Sequence, residues 1–339
     1  MSSFQDLNIS SDTLKALSGL GIETPTEIQQ KTIPILLDDP VDFIGLAQTG
    51  TGKTAAFGIP LVELMEPFQK HIGALIIVPT RELCLQVAGQ LDKIAQHKKG
   101  LTVVPVYGGA PINQQIKLVK KLPSIVVATP GRMIDLINRK AIKVQQVEFV
   151  VLDEADEMLN MGFQEDINEI LKAIKSDRKI WLFSATMPKP IRKLVKTYME
   201  DPMEISVLGK QQVNQNIIHQ FIVIKHTEKV GALMAFLMSE PNFYGIIFCR
   251  TKRSAQELSE KLIDFKIPAD ALHGDMTQKQ RERVMDSFRK TRTKIIAATD
   301  VAARGIDVDH LTHIIHFNLP DDLASVSYTH LTLPTIYAV

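Results

Sequence analysis

The chain has 339 residues, with 39 Lys and Arg against 38 Asp and Glu, for a formal net charge of +1. At roughly 100–200 residues per domain this length suits two domains, each able to bury its own core, and a near-neutral balance neither points to nor rules out nucleic acid, because a neutral chain can carry a basic cleft. Cys84 and Cys249 lie far apart in apolar surroundings, which argues against disulfides or a zinc cluster and for buried reduced thiols. The N-terminus, Met1-Ser2-Ser3-Phe4-Gln5-Asp6, lacks a basic-then-apolar signal pattern, and no apolar run is long enough to span a bilayer, so a soluble cytoplasmic protein is expected.

In chain order, the first element with chemistry in it is Thr49-Gly50-Thr51-Gly52-Lys53-Thr54. A Gly-rich turn before a helix lets backbone N–H groups approach phosphates, with Lys53 on the β/γ oxygens and the Thr54 hydroxyl on Mg²⁺. The strict phosphate-loop pattern asks for Gly where this chain has Ala47. Pro60 is expected to interrupt or kink the helix that follows Thr54. Short continuous apolar runs then recur at 74–78, 124–128, 148–152 and 180–183. Such runs suit strands covered on both faces, as in a parallel sheet. Helical stretches with charged faces, such as 82–94 and 163–174, alternate with them. His97-Lys98-Lys99 reads as a solvated turn, and Met158 and Met161 as core filling beneath a helix. Beyond 207–216, which loses apolar periodicity, the pattern resumes with runs at 244–249, 294–298 and 313–317. His310, His313 and His316 recur every three residues along what reads as a strand, without an acidic or thiol ligand, and are taken as structural.

Two α/β domains follow, and ligands of such sheets bind beyond the carboxyl ends of the strands. Polar clusters stand at those ends: Pro79-Thr80-Arg81 after Val78, Thr129-Pro130-Gly131-Arg132 after Ala128, Asp153-Glu154-Ala155-Asp156 after Leu152, Ser184-Ala185-Thr186 after Phe183, and Thr299-Asp300 after Ala298. Each alone is an ordinary helix start, acidic residues and Pro both being favoured there. Paired with the glycine-rich turn, adjacent carboxylates read as nucleotide hydrolysis, with Asp153 holding the metal ion and Glu154 orienting the attacking water.

The ordered set resembles the DEAD-box RNA helicases, ATP-dependent enzymes with two RecA-like parallel-sheet domains in tandem, over about Phe4 to Ser325. Ala47-Gln48-Thr49-Gly50-Thr51-Gly52-Lys53-Thr54 is similar to that family's own phosphate loop, which accounts for Ala47. The resemblance implies ATP and Mg²⁺ as cofactors, with Lys53, Asp153 and Glu154 catalytic and with Thr54 and Asp153 holding Mg²⁺, partly through water. Gly21 to Gln29 match the adenine-recognition segment. The Gln29 amide offers a donor and an acceptor that fit adenine and clash with guanine O6, and Phe4 matches an aromatic that stacks on the base. The bland reading of Phe4 is a staple for the first helix. Asp307 matches the carboxylate that reaches the ATP ribose. Ser184 and Thr186 resemble the hydroxyl pair that couples to domain closure through Asp156, and Arg304 joins that coupling set or forms a structural ion pair.

For RNA, the resemblance implies Pro79, Thr80, Arg81, Gly108, Gly109, Thr129, Pro130, Gly131 and Arg132 in the first domain. Arg250, Thr251, Gln278, Arg281 and Thr299 serve in the second. Helix N-termini, small residues and arginines favour sequence-independent backbone binding to a single strand or short duplex. The expected boundaries are 1–206 for the first domain, 207–216 for the linker and 217–325 for a partial second domain. The family continues past that point with a Tyr-x-His-Arg-Ile-Gly-Arg-Thr-Gly-Arg segment, whereas residues 326–339 resemble the conceptual translation of a sequencing adapter and are read as a non-native tail. Three alternatives stay open: an ATP-gated RNA clamp with little unwinding, a DNA-directed motor, and a fragment inactive as given, since the arginines of that family segment, which reach the γ-phosphate, do not occur here.

Overall fold

Strands buried on both faces need helices above and below, and the apolar runs obtain them by alternating with amphipathic segments. The computed structural model describes residues 3–38, 40–48, 50–174, 177–207, 218–299, 302, 308, 310–318 and, as backbone, 335–338. The chain divides into two compact units, Met1–Gly209 and Lys210–Val339.

In the first unit a 3₁₀ turn, Phe4–Leu7, leads into α1 (Ser11–Gly19), α2 (Glu27–Asp38), β1 (Phe43–Leu46), α3 (Lys53–Leu64), β2 (Ala74–Ile77), α4 (Arg81–Ile94), β3 (Val103–Val106) and α5 (Ile112–Val119). These are followed by β4 (Ile125–Ala128), α6 (Pro130–Asn138), β5 (Phe149–Leu152), α7 (Ala155–Asn160), α8 (Gln164–Ala173), β6 (Lys179–Ser184), α9 (Lys189–Tyr198) and β7 (Met203–Ser206). The seven strands form one sheet in the order β3-β4-β2-β5-β6-β1-β7, and every pairing is parallel. All carboxyl ends therefore share one edge of the sheet. Alternate residues feed opposite cores: Phe43, Ile76, Val127, Val151, Trp181 and Phe183 on one side, and Ile44, Leu75, Val126, Val150 and Leu182 on the other.

Two expectations need correction here. Pro60 does not interrupt α3, which runs on to Leu64. Phe57, Ile59, Leu61 and Val62 are fully buried around it, and their packing holds the helix across the missing N–H. His97 and Lys99 are exposed in a turn as read, but Lys98 between them is not solvated: its ammonium lies 3.0 Å from Glu63 Oε2 and donates to the Val62 carbonyl, with both charged side chains largely buried. That carboxylate also accepts from the Ser10 and Thr13 hydroxyls, which tie α1 to α3 and help hold Glu63 below the usual carboxylate range despite its burial. Met158 does fill the core, fully buried in the cluster beneath α7 and α8.

The second unit contains β8 (Ile218–Phe221), α10 (Lys229–Ser239), β9 (Gly245–Phe248), α11 (Lys252–Asp264), β10 (Ala269–Leu272), α12 (Gln278–Arg289), β11 (Ile295–Ala298), β12 (His313–His316) and β13 (Thr335–Ala338). Its sheet is again parallel, in the order β10-β11-β9-β12-β13-β8. Within 326–339, where the sequence offers no clear core-forming pattern, Thr335–Ala338 form a strand paired with β12 and β8. His313 and His316 lie buried on β12, stacked on Phe243 and Phe248 with ring centroids 4.9 and 5.1 Å apart, while His310 is exposed. Among the described residues no helix is long and apolar enough to cross a membrane, and no group of His, Cys, Asp and Glu gathers as a metal cluster.

Candidate active site

The strand order splits the carboxyl edge of the first sheet in two. β5, β6 and β1 are neighbours, so the acidic motif, the Ser184-Ala185-Thr186 segment and the glycine-rich turn emerge side by side. A hydrogen bond from Ala47 N–H to the Ser184 carbonyl, at 3.0 Å, continues the β1–β6 ladder into the turn. Gly50 and Gly52 both have left-handed backbone, with φ of 77° and 91°, and a Cβ built on Gly50 would meet nothing within 4 Å. That combination is an open, curved cradle that L side chains would close or strain. Thr51 closes the turn with its hydroxyl on the Gln48 carbonyl at 2.6 Å, and Thr54 follows half-buried in the first turn of α3. Thr49 lies outside the described residues.

Lys53 opens α3 with its side chain buried and its ammonium without a hydrogen-bond partner. A buried cation with unfilled donors is costly unless an anion completes it. Across β6, Asp153 is buried with Oδ1 accepting from the Glu154 N–H at 3.0 Å. Burial raises the Asp153 carboxyl, and the Lys53 charge partly offsets this. Glu154 adopts left-handed backbone (φ 53°, ψ 49°) at the start of α7. Burial first, and then the charge of Asp153, push its carboxyl up to about 8. Two carboxyls and an orphaned ammonium thus share a site beside the glycine turn, a donor set that fits a divalent cation carrying phosphates.

The structure also brings Asp156, Ser184 and Thr186 together. Asp156 Oδ2 accepts from both the N–H and the hydroxyl of Thr186 at 2.8 Å, while the Asp156 N–H donates to Ser184 Oγ at 3.3 Å. Gln29 is placed differently from a free adenine reader. Its Oε1 accepts from the Thr26 N–H at 2.9 Å and its Nε2 donates to the Gly52 carbonyl at 3.0 Å, so the amide clamps the phosphate turn to α2. One N–H and one lone pair remain for a base. Phe4 is only 3% exposed and belongs to the same buried cluster as Leu7, Ile9, Leu17 and Ile28.

The other half of the edge, β3-β4-β2, carries the second cluster. Thr80 caps α4, accepting from the Leu83 N–H at 3.2 Å, and Pro79, Thr129 and Pro130 are buried, so these residues shape helix starts while Gly109 and Gly131 stay exposed. A Cβ on Gly109, whose φ is 88°, would fall 2.3 Å from the Arg81 guanidinium, and one on Gly108 would fall 3.4 Å from it. Only glycine lets Arg81 lie across this turn. Arg132 donates through Nη1 to Gln115 Oε1 at 2.5 Å and through Nη2 to the Ala110 carbonyl at 3.1 Å. Burial lowers the Arg132 pKa, the Asp135 charge partly offsets this and the nearby Arg81 adds to it, so two guanidiniums converge where a phosphate could bind. Sequence reasoning missed Gln115. The signal was an amide occupying an inward position of the series Ile112, Gln115, Ile116 and Val119 on α5.

In the second unit, Thr251 caps α11, accepting from the Ser254 N–H at 3.0 Å, and the Arg250 N–H reaches Asn318 Oδ1 at 3.4 Å. Arg281 donates from α12 to the Ala302 carbonyl at 3.1 Å, Gln278 bonds Glu282, and the Thr299 N–H continues the β11–β10 ladder to Leu272. Arg304 and Asp307 lie outside the described residues.

A glycine cradle, an orphaned lysine and adjacent carboxylates at one edge of a parallel sheet define a phosphate-loop α/β protein. A family model described as DEAD/DEAH box helicase matches residues 26–194, and one described as helicase conserved C-terminal domain matches residues 228–332. The chain is 45% identical over 327 residues to the DEAD-box ATP-dependent RNA helicase CshA of Bacillus subtilis, covering 96% of this chain and 65% of that protein. Among solved structures, a DEAD box protein from Methanococcus jannaschii is 41% identical, with a TM-score of 0.59 over 99% of this chain and 92% of that one. Saccharomyces cerevisiae Dbp5 bound to RNA and ADP BeF3 is 26% identical, with a TM-score of 0.89 over 100% of this chain and 90% of that one. The chain belongs to the DEAD-box helicase family, and its two units have the RecA-like fold.

Proposed function

We propose that this chain is the ATP-dependent RNA helicase core of its protein, coupling ATP binding and hydrolysis to RNA binding and local duplex unwinding through domains at 1–206 and 217–325 joined by 207–216. The observation that carries the reading is the buried, unpartnered Lys53 ammonium beside Asp153 and Glu154, over a cradle that keeps two glycines in left-handed backbone. The RNA and ADP BeF3 bound to the yeast relative support it.

In this reading the turn amides and Lys53 bind the β and γ phosphates of ATP, while Thr54 and Asp153 hold Mg²⁺, partly through water. Bound Mg²⁺ would supply charge neutralisation at the phosphate oxygens. Glu154, next to Asp153 at the same edge, orients the attacking water and, when ionised, accepts its proton. Asp156, shared between Ser184 and Thr186, reports the state of the acidic motif to the rest of the edge. Gln29 holds the turn and offers its remaining donor and acceptor to adenine. Arg81 and Arg132, at the β3-β4-β2 half, bind RNA phosphates without reading bases. In the second domain the helix starts around Thr251 and Gln278, with Arg250, Arg281 and Thr299, do the same. We place the protein in the cytoplasm, where the buried thiols of Cys84 and Cys249, neither in a disulfide, stay reduced.

Steady-state ATP hydrolysis with and without single-stranded RNA tests this. RNA should stimulate turnover. Glu154→Gln should keep ATP and RNA affinity while losing turnover by about 10²–10⁴-fold, the usual contribution of a positioned base. Hydrolysis by the unmutated chain that is indifferent to RNA, or normal turnover by the variant, would refute it.

A further inference from the structure

We propose that Gln115 is a positioning residue for RNA binding, one that fixes the Arg132 fork and the Tyr107–Ala110 turn as a single phosphate-binding unit. The inference rests on the reading of this edge as an RNA surface, and adds to it a residue that no exposed-cation argument would select. Gln115 is 4% exposed and stands on α5 where the helical period calls for an apolar side chain. A buried amide is unfavourable unless both ends are bonded. Here both are: Oε1 accepts from Arg132 Nη1 at 2.5 Å, and Nε2 donates to the Tyr107 carbonyl at 3.2 Å.

The bonds link three elements. Tyr107 is the first residue past β3, Arg132 lies in the first turn of α6, and Gln115 itself comes from α5. The second Arg132 nitrogen closes the ring on the Ala110 carbonyl at 3.1 Å, so the guanidinium plane is fixed from two sides with the exposed glycine turn between. Arginine recognises phosphate through a planar fork, and a fork already oriented loses less side-chain entropy on binding. Gln115 faces away from solvent and so touches no RNA. Its effect passes through Arg132 and the turn.

The test compares Gln115→Met, which keeps volume and removes both bonds, with Gln114→Met, the exposed neighbour on the same helix, and with Arg132→Ala. Affinity for a fluorescein-labelled single-stranded RNA is measured by anisotropy across a KCl series, with a non-hydrolysable ATP analogue present. Gln115→Met should weaken RNA binding about tenfold, the effect of one well-placed hydrogen bond to a charged group. It should also flatten the salt slope by about 0.7, one phosphate contact on a single strand. ATP-analogue affinity should be unchanged. The double variant with Arg132→Ala should bind no more weakly than Arg132→Ala alone, because the two act as one unit.

Gln114→Met should match the unmutated chain. Additive losses in the double variant, or an unchanged salt slope in Gln115→Met, would overturn the proposal. Should Gln115→Met fail to fold, Gln115→Glu serves instead. It keeps the acceptor for Arg132 but neutralises its charge, and must flatten the slope in the same way; an unchanged slope there overturns the proposal equally. If the unmutated chain binds no RNA, the surface assignment itself falls, an outcome distinct from both.

Discussion

Gln29→Ala should destabilise the nucleotide-free protein as well as weaken ATP binding, and the first effect separates a loop clamp from a simple base reader. The substitution removes the bonds to the Thr26 N–H and the Gly52 carbonyl. Thr26 is exposed and Gly52 partly so, and water can therefore replace much of what is lost. Net values near 1 kcal/mol per bond then apply rather than full desolvation penalties, giving about 2 kcal/mol in all. For a unit of this size that is roughly 4–8 °C in melting temperature. Loss of the remaining base contacts should shrink discrimination between ATP and GTP by about a further 1–3 kcal/mol. Gln29→Glu isolates the loop contact, since it keeps the acceptor facing Thr26 but sets an oxygen against the Gly52 carbonyl. The assay is differential scanning fluorimetry without nucleotide, paired with titration of fluorescent ATP and GTP analogues. An unchanged nucleotide-free melting temperature in both variants, with ATP affinity reduced, would refute the clamp.

The interior of each sheet was legible in the sequence and its margins were not. All seven apolar runs became interior strands: β2, β4, β5 and β6 in one sheet, and β9, β11 and β12 in the other. Edge strands have one neighbour and less burial, so their residues carry no such run. Met203 on β7 is 44% exposed, β10 carries Asp270, and β3 contains Pro105, which an edge tolerates because one side of the ladder is unpaired. β1 is interior yet escaped notice because Gly45 breaks its run, and the reason is tertiary: Phe183 of the neighbouring strand fills the space a side chain would need. The site follows the same logic. Lys53, Asp153 and Thr186 announce themselves by local spacing, whereas the Lys98–Glu63 pair and the Gln115 bridge join residues 35 and 17 positions apart and exist only once segments from different crossovers are packed.

Two further outcomes follow from that packing. Gly45→Ala would set a Cβ 2.6 Å from the Phe183 ring and 3.1 Å from that of Phe43, both fully buried, and should cost about 1–3 kcal/mol as overpacking does; urea unfolding with an unchanged midpoint would remove Phe183 as the reason for this glycine. His316 is buried against Phe248, neither ring nitrogen has a hydrogen-bond partner, and burial lowers its pKa to about 4 from an ordinary 6.5. A lowered folded-state pKa means that the unfolded chain takes up the proton first. The histidine is therefore neutral in its effect above about pH 6.5, and stability drains away as pH falls from there towards 4. At about 1.4 kcal/mol per pH unit, the drain reaches roughly 3 kcal/mol, enough to dominate the acid limb of the second unit. His316→Phe keeps the stack on Phe248 and removes the proton-binding group, so its melting temperature should lose less than that of the unmutated chain between pH 6.5 and 4.5. Parallel declines in the two proteins would show that the ring is hydrated or bonded in solution, and that carboxylates rather than this histidine set the acid limb.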